Sequence, residues 1–594
     1  MKKGIVSLIW SLLVLVYVIE ASGQKSLFVA RSQAVNSARE LAGWQRLIYR
    51  PDLEATNVTM SIVPEYNHSF GGHDIARFLL GDRQLTFSGS QVVGRDSCDI
   101  LADYFGLPSD FKSTIDINPT IVNFVMDFNW RIGLDSSVPG MYVGLHLPIV
   151  HTKWDLHLVE CVSDPGMTFT SYPAGYFAAT AIELSALAQG KNAPKNVTTV
   201  LQGNAMFGDM KDPLKYGKVF GRQSEMRVAE LQVDLGYNFL QQHWYHFGIA
   251  ATASAPTGTL RKSKWLFEPV VGNDHHWELG GVISGHVDFW HDDSEQQACS
   301  LYLNARITHL FASRQKRSFD LKNNGPKSRY ILLQEIAAPS SGLYNGLAPD
   351  DEPALQQYQG LLAPAINITT LGIDVSIGVQ ADVVLKFGYK RRGFEFDLGY
   401  NLWARSREKC EGRECVATCY AVKGDAQIYG FTNPDEAPVA LAATQSCANI
   451  YHGQQASGAF VSLESGNFND GLEYANINAD NIAFASDNLG IALDQLTSAD
   501  ANRLGIMQIG VRTSQPPILI TNNDIDECSA LMPKAVSHKL FTYIGYYLER
   551  SDLSVIPYIG FGAFVEFAKP DACDNSANSQ WGLWLKMGVS YGLS

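Results

Sequence analysis

The chain has 594 residues, of which 11% are aromatic and only 18% are charged, with 51 glycines. That aromatic content excludes a disordered polymer, and the net charge of −14 argues against nucleic acid and anionic lipid as partners. The length suits several soluble domains or one large barrel.

The first residues, Met1-Lys2-Lys3, precede an apolar run over 5–19 and then Ala21-Ser22-Gly23. A basic start, a short apolar core and small residues predict a secretory signal peptide over 1–23, cleaved after Gly23. Residues 24–56 are expected to be an N-terminal periplasmic or entry segment, and 57–594 the main fold with its long loops. Beyond residue 23 no uninterrupted apolar stretch is long enough to span a bilayer as a helix.

Two-residue alternation then recurs in pairs of runs joined by turns. A first run lies near 59–70. Val122, Phe124, Met126, Phe128, Trp130, Ile132 and Leu134 share one face of the next, with Asn123, Asp127, Asn129 and Arg131 opposite. Val125 is an apolar exception on the polar face. A turn from Asp135 to Gly140 leads to Met141, Val143, Leu145, Leu147 and Ile149. In a second pair, Ala229, Leu231, Val233, Leu235, Tyr237 and Phe239 alternate with Glu230, Gln232, Asp234, Gly236 and Asn238. Tyr245, Phe247, Ile249, Ala251 and Ala253 return. Further runs lie near 277–290 and 301–311.

The third pair is the strongest. Every odd position from Ile373 to Tyr389 is apolar, opposite Asp374, Ser376, Gly378, Gln380, Asp382, Lys386 and Gly388. After Lys390-Arg391-Arg392-Gly393 come Phe394, Phe396, Leu398, Tyr400 and Leu402, alternating with Glu395, Asp397, Gly399 and Asn401. At about 3.3 Å per residue, the first of these runs exceeds one membrane crossing. It therefore projects beyond a bilayer or bends. Runs near 541–548 and 553–568 precede the last strand. There Trp581, Leu583, Leu585, Met587, Val589, Tyr591 and Leu593 share a face, with Lys586, Gly588 and Ser590 opposite. Trp581 and Tyr591 stand roughly 33 Å apart along a strand at about 3.3 Å per residue. Tilted, that is roughly the 25 Å band between the aromatic girdles of a membrane barrel.

Long segments near 161–221, 315–366 and 408–539 separate the pairs, with helical stretches expected over 178–187 and 487–496. Nine cysteines include Cys410, Cys415 and Cys419 in one segment, with Cys447 nearby. No CxxC spacing suggests zinc, so loop disulfides are the favoured reading, with connectivity open. Residues 522–527 offer oxygen ligands without the glycine and distal glutamate of a calcium loop. His275-His276 and His291 are read as ordinary polar residues. No catalytic motif is present, and no enzyme activity, cofactor or metal is expected.

Taken together, the signal peptide, the paired amphipathic strands and the closing aromatic-bearing strand resemble a bacterial outer-membrane β-barrel of porin-like type, subfamily not identified. The chain departs from such barrels in ending on Ser594 rather than an aromatic. It also shows no plug domain of the kind energised transporters carry. The resemblance implies an all-β, antiparallel transmembrane barrel of even strand number, about 12–18, with long loops carrying short helices. It implies outer-membrane lipid and small hydrophilic solutes as partners, and a homo-oligomer such as a trimer. The pore-lining candidates are Asp127, Arg131, Glu230, Asp234, Asp374, Asp382, Lys386, Glu395, Asp397, Arg405, Glu566 and Lys586. Acids outnumber bases, which predicts a slightly cation-leaning channel for passive diffusion. Trp581 and Tyr591 are the lipid-facing girdle candidates. The alternatives are a surface adhesin or structural barrel without a transport role, and a secreted soluble all-β binding protein.

Overall fold

The computed structural model describes residues 24–48, 56–89, 92–108, 110–166, 194–208, 210–242, 244–292, 296–337, 357–423, 429–430, 439–440, 448–451, 518–548 and 555–593. The expected signal peptide, both expected helical stretches and Cys447 lie outside them.

Twelve antiparallel strands close into one barrel. They are β1 (Thr56–Phe70), β2 (Thr120–Gly133), β3 (Met141–Asp155), β4 (Leu231–Gln242), β5 (Tyr245–Ala255) and β6 (Glu278–His291). The circuit continues with β7 (Gln297–Ser318), β8 (Thr370–Arg391), β9 (Phe394–Arg405), β10 (Ala535–Tyr547), β11 (Val555–Phe567) and β12 (Ser579–Leu593). Each strand pairs with its neighbours in sequence, and β1 pairs with β12 to shut the circuit. Closure leaves no open barrel edge, which a lipid-embedded sheet requires.

Local chemistry fixes the hairpins. In the β2–β3 turn Gly140 has φ 84° and donates its N–H to Asp135 Oδ1 at 2.8 Å. The β8–β9 connection is only Arg392-Gly393. The strand ends these turns join, together with Gln242 and Tyr245, His291 and Gln297, and Tyr547 and Val555, lie at one end of the barrel. The strand ends joined through longer stretches of sequence, such as Phe70 and Thr120, Asp155 and Leu231, Ser318 and Thr370, and Arg405 and Ala535, lie at the other. Short helices punctuate these stretches, Gly72–Leu80, Val197–Leu201 and Ala365–Thr369 among them.

The outer face is apolar. Leu235, Phe247, Ile283, Leu303, Leu398, Ile544, Ile559 and Met587 are all exposed, and the charged wall residues point inward. Aromatics ring both ends of this face. At the long-loop end Tyr66 meets Trp581 at 5.8 Å between ring centroids and Phe70 meets Phe567 at 6.3 Å. At the short-turn end Phe394 meets Tyr546 at 4.8 Å and Phe239 meets Phe247 at 6.0 Å. A sheet that is greasy outside and charged inside is a barrel built for lipid.

The two longest strands, β7 and β8, project beyond the rim. Their register slips between Thr308 and Ser313. Such a bulge exchanges the two faces of a strand. Ile373, Val375 and Ile377 are consequently buried, and the first two point into an apolar core above the barrel mouth. Asp374 points outward and pairs with Arg314 at 2.9 Å. The unbroken odd-position alternation of the sequence is thus split between two surfaces. That cap core joins residues from the long connections, including Phe78, Phe105, Phe267, Phe319, Leu333 and Ile525. None of the eight described cysteines forms a disulfide. The described part of the cap is held by packing, and the loop disulfides expected do not form among these eight cysteines. The oxygens of 522–527 are used internally: Asp524 caps the turn at Thr521, and Asn522 Oδ1 accepts from Val416 N.

Candidate functional site

Residues 24–48 run from the cap into the lumen. The segment read above as a periplasmic or entry segment begins in the cap, where Phe28 packs on Phe78, Trp154 and Phe267 at 5.4, 6.1 and 6.2 Å. It descends through the barrel, and Trp44, Leu47 and Ile48 pack on Tyr547 and Tyr558 near the short-turn end. Midway it forms one helical turn, α1 (Ser37–Leu41), capped by Asn36, whose side chain accepts from Arg39 N.

Small residues let this segment fit. Ala34 meets Val125 and Val150. Ala38 and Ala42 meet Val63, Val384, Phe541, Phe564 and Trp584. The apolar exceptions on the wet faces, Val125 and Trp584, are therefore plug contacts. Gly43 closes α1 with φ 67°, and a Cβ there would strike the Tyr543 ring.

The charged wall residues grip the segment. Arg31 pairs with Asp382 at 2.8 Å and Glu566 at 2.9 Å. Arg39 pairs with Asp127 at 2.9 Å and Glu65 at 3.1 Å. Ser32 Oγ donates to Glu230 at 2.6 Å, and Gly43 N donates to Asp397 at 2.8 Å. Lys386 in turn holds Asp397 at 2.8 Å and Glu395 at 3.5 Å. Lys539 bridges Glu566 at 3.4 Å and the Asn36 side chain at 3.1 Å. Arg306 joins Asp234 at 3.1 Å and Glu40 of the plug at 3.5 Å. Lys586 Nζ donates to the carbonyls of Arg39, Glu40 and Ala42 at 3.2, 2.5 and 2.9 Å.

Eleven of the twelve pore-lining candidates thus face the lumen. Arg131 lies over the Tyr142 ring at 3.4 Å and Arg405 reaches Ser576 Oγ at 3.3 Å. Asp374 is the exception, turned outward by the bulge. Trp581 and Tyr591 stand on the outer face at opposite ends of β12. The sequence reading missed Glu65, Arg306 and Lys539, whose strands were noted without an inventory of their wet faces. It also missed the whole plug, because a short polar segment with small residues carries no two-residue period.

Two small cavities flank the plug among the described residues. A cavity of about 30 Å³ beside it is bordered by Glu40, Trp44, His146, Asp234 and Arg306. Another of about 10 Å³ lies near Ile48 and Asn57. Spaces of that size hold single waters, not solutes. Among the described residues no group of three His, Cys, Asp or Glu side chains is placed to hold a metal.

No protein-family profile matches the chain, and no curated protein is similar to it. Among solved structures it is similar to an outer membrane channel from Pseudomonas putida, at 9% identity and TM-score 0.28, over 90% of this chain and 95% of that one. It is also similar to the translocator domain of the autotransporter NalP from Neisseria meningitidis, at 5% identity and TM-score 0.24, over 94% and 95%. A Pseudomonas aeruginosa FadL homologue is similar at 6% identity and TM-score 0.25, over 96% and 100%.

Proposed function

We propose that the protein is a gated channel of the bacterial outer membrane, exported by its first 23 residues and shut here by residues 24–48. The observation that carries this reading is the set of buried ion pairs and hydrogen bonds between plug and wall, which outweighs the small apolar contacts made by Ala34, Ala38 and Ala42. Buried ion pairs give little net stability over an apolar core of the same shape, because desolvation offsets attraction. When such a plug withdraws, water rehydrates both faces. An apolar plug would instead expose greasy surface to the bore at about 25 cal/mol per Å². A lumen lined by charges and amides therefore suits a removable stopper.

Once Arg31 and Arg39 leave, the wall retains Glu65, Asp127, Glu230, Asp234, Asp382, Glu395, Asp397 and Glu566. Against these stand Arg131, Arg306, Lys386, Arg405, Lys539 and Lys586. The open bore is then polar and cation-leaning, suited to small hydrophilic solutes. The test is swelling of proteoliposomes in small neutral sugars. Protein lacking residues 24–44, shown folded by heat-modifiable gel migration, is expected to swell vesicles well above the full chain. Equal, baseline swelling from both would contradict a channel.

A second reading, a surface platform without transport, draws on the continuous core that binds the long connections into a cap. Baseline swelling by the truncated barrel, together with cap-dependent adhesion to cells, would favour it.

A further inference from the structure

A second site lies at the long-loop rim. The strand Arg222–Val228 extends the wall above β4, pairing with β3 from Ile149 to Asp155. β4 and β5 stop lower, where Leu231 faces Ala255. A cleft of about 600 Å³ opens between this strand and residues 258–275, lined by Gln223, Arg227, Lys262, Lys264, Trp265 and His275. Lys264 Nζ lies 5.2 Å from the Trp265 ring centroid, and Lys218 Nζ lies 5.9 Å from it.

The cationic charge here is only partly neutralised from within. Lys262 and Lys264 are exposed and have no ion-pair partner among the described residues. Glu268 is already engaged, accepting from the backbone N–H of Ser263 at 2.8 Å and Lys262 at 3.3 Å. Glu225 lies 4.0 Å from Arg227. Burial and the neighbouring Lys264 charge hold the Lys218 ammonium below its ordinary pKa.

The cleft also sits at a boundary. The outer face of β3 changes from Leu145, Leu147 and Ile149 to His151 and Lys153, and Met226 is paired with His151. Met226, Phe220 and Leu260 are exposed beside it, and the Phe220 ring lies tilted to the Trp265 ring at 5.7 Å between centroids.

We infer that this cleft binds the phosphorylated saccharide headgroup of an outer-leaflet glycolipid. The lysines and Arg227 meet the phosphates. The Trp265 face meets a sugar ring, and Met226 and Leu260 meet the first acyl carbons. The chain's net charge does not oppose this, since charges farther than about 10 Å are largely screened. The inference rests on the outer-membrane reading proposed above and takes the long-loop end to face the outer leaflet, as in bacterial barrels with short periplasmic turns. It does not depend on conduction, so binding measured in detergent separates the two.

The experiment uses the full folded chain in detergent with three probes: bisphosphorylated lipid A, its dephosphorylated counterpart, and free glucosamine 6-phosphate. Lipid A is expected to bind, and removal of its phosphates to weaken binding at least about tenfold. The free sugar phosphate is expected to bind far more weakly. The Lys262→Glu/Lys264→Glu double variant, with unchanged heat-modifiable migration, should lose lipid A at least about tenfold. Equal affinity for the two lipids on the unaltered protein would overturn the proposal without recourse to any variant. So would full binding by the folded double variant. Free sugar phosphate binding as tightly as lipid A would assign the cleft to a soluble ligand and overturn the glycolipid.

Discussion

Lys586 and Asp382 hold opposite ends of α1 inside the barrel. Asp382 Oδ2 accepts from Ser37 N at 3.0 Å, while Lys586 donates to three carbonyls at the other end. An acid at the start of a helical turn and a base at its finish match the signs of the backbone dipole. Two strands far apart in sequence thereby set the position of the plug.

Replacing Lys586 with Met removes one of these clamps. It leaves three buried carbonyls without their donor, at about 1–3 kcal/mol each before any rearrangement. Amide exchange over residues 38–43 is expected to accelerate while exchange in the barrel strands is unchanged. Unaltered protection of the plug would show that Lys586 does not hold it.

Gly43→Val combines a left-handed backbone position with a side chain aimed at the Tyr543 ring. Both effects act on the plug, and neither touches the outer face. The expected outcome is a folded barrel, still heat-modifiable in gels, whose segment 24–48 becomes cleavable by added protease. Protease resistance equal to that of the unaltered chain would count against a tightly seated plug.

The outer face of β12 gives a lipid test. Leu585→Arg and Met587→Arg should each cost roughly 2–4 kcal/mol in vesicle refolding, the penalty for a cation near mid-bilayer. Ser590 is a different case, because it is buried inside against Thr59 Oγ1 at 2.9 Å. Ser590→Arg should cost about 1–3 kcal/mol by overpacking, with no dependence on bilayer thickness. Identical thickness dependence at all three sites would refute the assignment of faces.

These contrasts show what the sequence made legible. All twelve strands correspond to runs of alternation, since a wall with lipid on one side and polar groups on the other imposes a period of two. The face of Lys586 was readable for the same reason. Asp374 was misread because a bulge conserves the pattern of letters while exchanging the surfaces. The plug was invisible: Arg31 and Arg39 find Asp382, Glu566, Glu65 and Asp127 only after the barrel closes. The charged wet face was visible as a pore lining, and its role as a grip was not.

Acid should loosen the cap before the barrel. Despite its burial, Glu408 is held down to about 2 by Arg317, which lies 2.6 Å away, and by Arg405. A carboxyl depressed below its ordinary value of 4.5 stabilises the fold above that value. The contribution falls away as pH drops from about 4.5 towards 2, because the unfolded state then binds the extra proton. Cap unfolding, followed by tryptophan fluorescence, should steepen across that window, and Glu408→Gln should flatten the dependence. A variant with the same acid profile would remove Glu408 from the explanation.

The central claim is that residues 24–48 close the charge-lined bore of the barrel, and planar-bilayer conductance tests it most directly. The full chain is predicted to be nearly silent. Folded protein lacking residues 24–44 is predicted to give discrete steps whose reversal potential in a salt gradient shows cation preference. A truncated barrel that is folded, inserted and as silent as the full chain would contradict the account.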